Sequence, residues 1–171
     1  MKSNKIFRLI LAALFAALNF ISVLIVHIPL PGVGFINPGD AFGLTAGIIL
    51  GPVYGGLAAG IGSALSDIIL GYTIYVPATF VIKALSAVIA YFISNKLLKK
   101  HKTVSLTLSA ITGEAIMVVG YFFYECLIYS IGAATVSIPY NCIQGIGSAI
   151  IAIIIIISIR KTGILERMKI K

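Results

Sequence analysis

The run "GSALSDIILGYTIYVPATFVIK", from Gly62 to Lys83, holds one carboxylate and one amine, Asp67 and Lys83, among almost wholly apolar neighbours. An ionisable group at membrane depth costs about 3 kcal/mol or more unless it is paired or hydrated, so its default reading is functional. Asp67 lies about three residues from the end of one apolar run and Lys83 about six residues into the next, depths of roughly 5 and 9 Å. The two are therefore expected to form an ion pair across neighbouring helices. Such a pair has two readings: it fixes the register of two helices, or it belongs to a polar site.

The surrounding residues favour a site. Glu125 has Tyr121 one turn away on the same helix face, and Asn141 and Gln144 are three apart on one face. Thr79, Tyr72 and Tyr75 flank a short loop, and Asn37 with Asp40 stands at the start of another apolar run. Carboxylates, amides, an amine and phenols converging in an apolar wall describe a small-molecule pocket. The candidate substrate-binding residues are Asn37, Asp67, Tyr75, Thr79, Lys83, Tyr121, Glu125, Asn141 and Gln144, with Phe80 as a further wall. Glu114, near mid-membrane, has no assignable partner.

Other chemistries are poorly served. His27 and His101 pair with neither Ser63 nor Ser66, so no nucleophile has a base within evident reach. There is no G-x-S-x-G, no two-histidine metal motif and no G-x-x-x-x-G-K-[ST]. Cys126 and Cys142 fall in apolar runs and read as small buried hydrophobes. Neither catalysis nor a cofactor or metal is expected.

The elements that must hold these groups follow from composition. The chain has 171 residues, 60% hydrophobic and 11% charged, with a mean hydropathy of +1.11. Soluble proteins carry about 25% charge, so an integral membrane protein is expected. The apolar runs predict six transmembrane helices in a single bundle over residues 1–171. These are Ile6–Ile28, a short second element at Ala41–Leu50, Val53–Leu70, Pro77–Leu98, Thr103–Tyr129 and Pro139–Ile159. The second, about 15 Å long for ten residues, either borrows from Phe35–Asp40 or is buried by its neighbours. "PLPGVGFINPGD", "GYTIYV" and "SIGAATVSI" are expected outer loops. The first apolar run is longer than a signal-peptide core and reads as a retained span.

Of thirteen basic residues, Lys83 alone stands apart from the clusters that flank the apolar runs. The rest cluster at 2–8, 96–102 and 160–171, while the outer loops carry none. That asymmetry places both termini and the Lys-rich loop in the cytoplasm. The net charge of +8 then faces anionic lipid or a partner at that surface, and nucleic acid is not an expected partner. GIGSA occurs at Gly60–Ala64 and Gly145–Ala149, which would fit an inverted repeat, although five small or apolar letters recur easily by chance. Ala12, Ala13, Ala16 and Ala17 form small-xxx-small pairs, suited either to internal packing or to a partner helix.

The stretches "NPGDAFGLTAGIILGPVYGGLAAGIGSALSDIILGYTIYVPATFVIK", "GYFFYE" and "IPYNCIQGIGSA" resemble the substrate-binding S components of energy-coupling factor (ECF) vitamin transporters. The likeness is to the pyridoxine, hydroxymethylpyrimidine and riboflavin-like branch. It implies a six-helix bundle that binds a vitamin from outside and delivers it with a transmembrane coupling subunit and two ATPase subunits. By the same resemblance Ala12, Ala13, Ala16 and Ala17 would dock on the coupling subunit. The competing expectation is a self-contained proton-coupled carrier in which Asp67, Glu114 and Glu125 relay protons.

Overall fold

A computed structural model describes residues 2–30, 34–97 and 102–163. Lys99, Lys100, Arg167, Lys169 and Lys171 of the basic clusters, and His101, lie outside the described residues. Six α-helices account for most of the fold: α1 (Lys2–Ile25), α2 (Gly39–Leu50), α3 (Pro52–Ile69), α4 (Val76–Phe92), α5 (Lys102–Ile128) and α6 (Ile131–Lys161). A two-residue antiparallel hairpin joins α1 to α2, its strands β1 (Ile28–Pro29) and β2 (Phe35–Ile36). A 3-10 turn at Thr73–Tyr75 leads into α4, and a π turn at Ile93–Leu97 ends it.

Among the described residues, four segments, against the six expected, are long and apolar enough to cross a membrane: Lys5–Ile25, Thr73–Asn95, Thr103–Ile128 and Ile131–Lys161. The chain is an all-α integral membrane protein. Its long helices turn Ile6, Leu9, Val119, Phe123, Leu127 and Ile154 outward, as a lipid-facing wall requires.

The short α2 is the middle of the bundle. Ten of its twelve residues are buried, so of the two readings open for it, burial by its neighbours holds. Ala41, Leu44 and Ile48 share one cluster with Ala90 of α4, Leu106 and Ala110 of α5, and Ala149, Ala152 and Ile156 of α6. Gly51, with φ of 93°, caps α2 through its N–H to the Gly47 carbonyl and starts α3 at once. Pro52 follows at the first helical turn, where a missing N–H costs nothing.

Close backbone approach explains Gly47 and Gly55. A Cβ on Gly47 would stand 2.4 Å from the Ala87 carbonyl oxygen of α4, and one on Gly55 would stand 2.4 Å from the Ala46 carbonyl of α2. In lipid, such contact replaces the hydrophobic drive that water would supply.

The expected loop "SIGAATVSI" is a correction. Only Tyr129 and Ser130 separate α5 from α6, and residues 131–138 are already helical. Ser130 caps the helix by accepting from the Ala133 N–H. Pro139 lies inside α6 rather than at its start, which membrane helices tolerate because nearby groups satisfy the freed carbonyl.

The alanine stripe divides. Ala12 is buried against the cluster of Phe15, Ala46, Leu50 and Ala58, and Ala16 packs beside it, whereas Ala13 and Ala17 are exposed. Ala12 is thus committed to the bundle interior, and the outward pair is what remains for a partner.

Gly47→Ala should overpack the α2–α4 contact and destabilise the protein by about 1–3 kcal/mol. Gly147→Ala, where a Cβ meets nothing within 4 Å, should be close to neutral. Melting in detergent checks both, and equal midpoints for the two variants would contradict the packing described.

Candidate ligand-binding site

The polar groups gather at the hairpin end of the bundle because α2 starts there. Gly39 begins the helix and Asp40 sits in its first turn, where the helix dipole favours a carboxylate. Gly47 meets Ala87 on the facing helix. Two turns back along α2 is Asp40, and one turn back along α4 is Lys83; the long lysine stem spans the difference.

Lys83 Nζ accordingly lies 2.6 Å from Asp40 Oδ1 and 2.7 Å from Oδ2. This replaces the expected pairing with Asp67: the ammonium is claimed by the carboxylate of α2, the helix that α4 packs against. Asp40 Oδ2 also accepts from Gln144 Nε2 at 2.6 Å. Gln144 Oε1 in turn accepts from the Asn37 N–H at 2.9 Å, and Asn37 Oδ1 accepts from the Gly39 N–H at 2.9 Å. One chain of contacts therefore ties α4, α2, α6 and the segment entering α2. Lys83 also lies 5.1 Å above the Tyr121 ring, and Tyr121 shares a hydrogen bond with Thr79 at 3.0 Å.

Glu125 is held at the opposite wall. The Tyr75 hydroxyl donates to its Oε1 at 3.3 Å, and the Ser137 hydroxyl donates to its Oε2. Asp67 contrasts with it. Asp67 is 4% exposed, yet its Oδ2 has no hydrogen-bond partner among the described residues.

All nine candidate residues line one cavity of about 40 Å³. Asn37, Asp67, Tyr75, Thr79, Lys83, Tyr121, Glu125, Asn141 and Gln144 come to it from the α2 approach and from four helix regions far apart in sequence. Ser63, Val23, Leu30, Gly34, Phe35 and Tyr72 complete the wall. An aromatic rim covers the mouth: the Phe35 and Tyr72 rings are 4.8 Å apart, and Tyr75 stands 6.4 Å from Tyr72 and 6.3 Å from Tyr121. Phe80 does not take part, for it packs over Gly60 instead. Asp40 and Ser137 act behind the wall, and sequence reasoning gave neither that role. Ser137 was hidden in an expected loop, and Asp40 was noticed only for its place before a short helix.

A family model for the ECF-type riboflavin transporter S component matches residues 3–161. The chain belongs to that family. A relative from Pyrococcus woesei, described as an uncharacterized protein in a gap 3' region, is 31% identical over 132 residues, covering 77% of this chain and 86% of that protein. The protein is thus the substrate-binding subunit of an ECF transporter, a multi-pass membrane protein of a transport family rather than an enzyme family. Membership implies a small-molecule substrate and association with a coupling component and ATPases. For this S component, the cavity at the hairpin end is the candidate place for that substrate.

Removing one member of the buried pair should be far worse than removing both. Lys83→Met leaves Asp40 charged and without its ammonium partner, a loss of about 3–5 kcal/mol. Adding Asp40→Asn should restore much of it, and a double-mutant cycle on melting midpoints reads the coupling. Additive losses would mean that the pair does not act as a unit.

Proposed function

We propose that this S component captures a small vitamin or vitamin precursor from the outer face and hands it to a coupling subunit and two ATPases. A pyridine- or pyrimidine-sized ring with hydroxymethyl or aminomethyl arms is the favoured cargo, as in pyridoxine, pyridoxamine or hydroxymethylpyrimidine. Riboflavin, which the family's description names, is next.

The observation that carries this reading is the convergence of amides, hydroxyls and carboxylates on one aromatic-rimmed cavity, with the buried Asp67 Oδ2 left without a donor. A ligand donor on a short arm would satisfy that oxygen through a charge-assisted hydrogen bond. Asn141 and the Tyr121 and Tyr75 rings would orient a flat ring by hydrogen bonding and stacking.

Six crossings with both termini inside is the topology that fits the function. The basic clusters flank one set of helix ends, and the hairpin and 3-10 turn that close the cavity carry no Lys or Arg among the described residues. The exposed Ala13 and Ala17 would meet the coupling subunit, since small side chains let a partner helix approach closely.

Mass spectrometry of small molecules released from the denatured protein identifies the cargo. A thermal-shift panel over pyridoxine, pyridoxamine, hydroxymethylpyrimidine, riboflavin and thiamine should then single it out. Asn141→Ala and Glu125→Ala should each weaken binding at least about tenfold, a loss of about 1.4 kcal/mol, while the protein still folds. Unchanged affinity in both variants would move the site elsewhere. Uptake into liposomes should need the added ATPase subunits; accumulation by this chain alone under a pH gradient would favour the proton-coupled carrier. Ala13→Leu or Ala17→Leu should abolish co-purification with the coupling subunit and leave ligand affinity unchanged.

A further inference from the structure

Beneath the substrate cavity lies a second, separate space that the transport reading does not use. It measures about 10 Å³, about the room one water or one small ion needs. Its walls come from α1 through α5, and Lys83 lines both it and the larger cavity above.

Three of its side chains are deeply buried and incompletely satisfied. Glu114 is 5% exposed and neither of its carboxylate oxygens has a hydrogen-bond partner among the described residues. Asn19 is 1% exposed; its Nδ2 donates to the Ala59 carbonyl and to Ser63 Oγ, while its Oδ1 has no partner. Ser86 is 5% exposed with its hydroxyl oxygen likewise unpartnered.

The shortage is one of positive character. Glu114 Oε1, Glu114 Oε2 and Asn19 Oδ1 can only accept while Glu114 is ionised, and among these unpartnered groups the Ser86 hydroxyl supplies one proton. The charges agree: Asp40 and Glu114 bring two negatives to this cavity and Lys83 one positive. The other helices that line it, α1 and α3, add Asn19, Ala59 and Ser63, none of them charged. Gly145 of α6, packed against Glu114, adds no side chain. A cation able to coordinate several oxygens at once answers both deficits. All available donors are hard oxygens, which disfavours soft metals. The nearby ammonium, the single net negative charge and the small volume disfavour a divalent ion or a large one.

We propose that the space between Asn19, Ser86 and Glu114 is a binding site for one small monovalent cation, with the Glu114 carboxylate as its charged ligand. Sodium is the ion whose charge, size and preference for hard oxygen ligands fit.

The test is melting of the purified full-length protein without vitamin, titrated with sodium chloride against potassium or choline chloride at fixed ionic strength and pH. A sodium site predicts a saturable rise in midpoint of about 5 °C, absent with potassium and choline. Glu114→Gln should abolish the sodium response. Should that variant not fold, Ser86→Ala removes one ligand without changing charge and should shift the sodium midpoint several-fold. A wild-type protein indifferent to sodium, whether or not it is stabilised as pH falls, or a sodium response unaltered in both variants, would overturn the proposal and leave a neutral, water-filled space around a protonated Glu114.

Discussion

Asp40 and Lys83 are 43 residues apart in the chain and lie in the middle of a bundle whose outer surface is apolar. Neither can be there alone, because an unpaired charge in that setting costs more than most single contacts provide. Their pairing requires α2 to start at depth, α4 to lie against it, and α6 to bring Gln144 onto the same carboxylate. The close fit of Gly47 to Ala87 sets the distance, and the ion pair sets the register. The segment before α2 follows, since Asn37 is bound to Gln144 and to the start of the same helix.

The candidate substrate cavity is the space left above this pair. With Lys83 occupied by Asp40, the carboxylate of Asp67 faces the cavity without an ammonium of its own, and Glu125 is held by the hydroxyls of Tyr75 and Ser137. Electrostatically the wall is short of donors, and that is the property a cargo would answer. Below the pair, the oxygens around Glu114 repeat the same shortage in a smaller volume. Lys83 and Ser63 thus stand between two chambers lined by unpartnered oxygens.

Outward faces obey a different rule. Leucine, isoleucine, valine and phenylalanine cover the long helices, and the absence of water there removes any reason to bury them. On α1 the small residues serve two directions at once: Ala12 and Ala16 allow the bundle to close, while Ala13 and Ala17 leave a shallow outer strip. A spacing of four could not separate these uses, because every fourth residue lies on nearly the same face.

Membrane residence, the presence of a helix too short to cross, and nine polar side chains that line the cavity were legible in the sequence by itself, whereas the burial of that short helix was one of two open readings. The physical reason is that lipid makes polar residues rare and costly, so each one that persists marks an interior. Which of them touch was decided only by tertiary structure. Depth along a helix placed Asp67 and Lys83 at similar levels, but azimuth and packing gave Lys83 to Asp40, turned Phe80 onto Gly60 and left Glu114 beside a space of its own. The helix through Pro139 was hidden for a related reason: proline stops helices in water, whereas in a bundle its freed carbonyl finds partners that no local pattern announces.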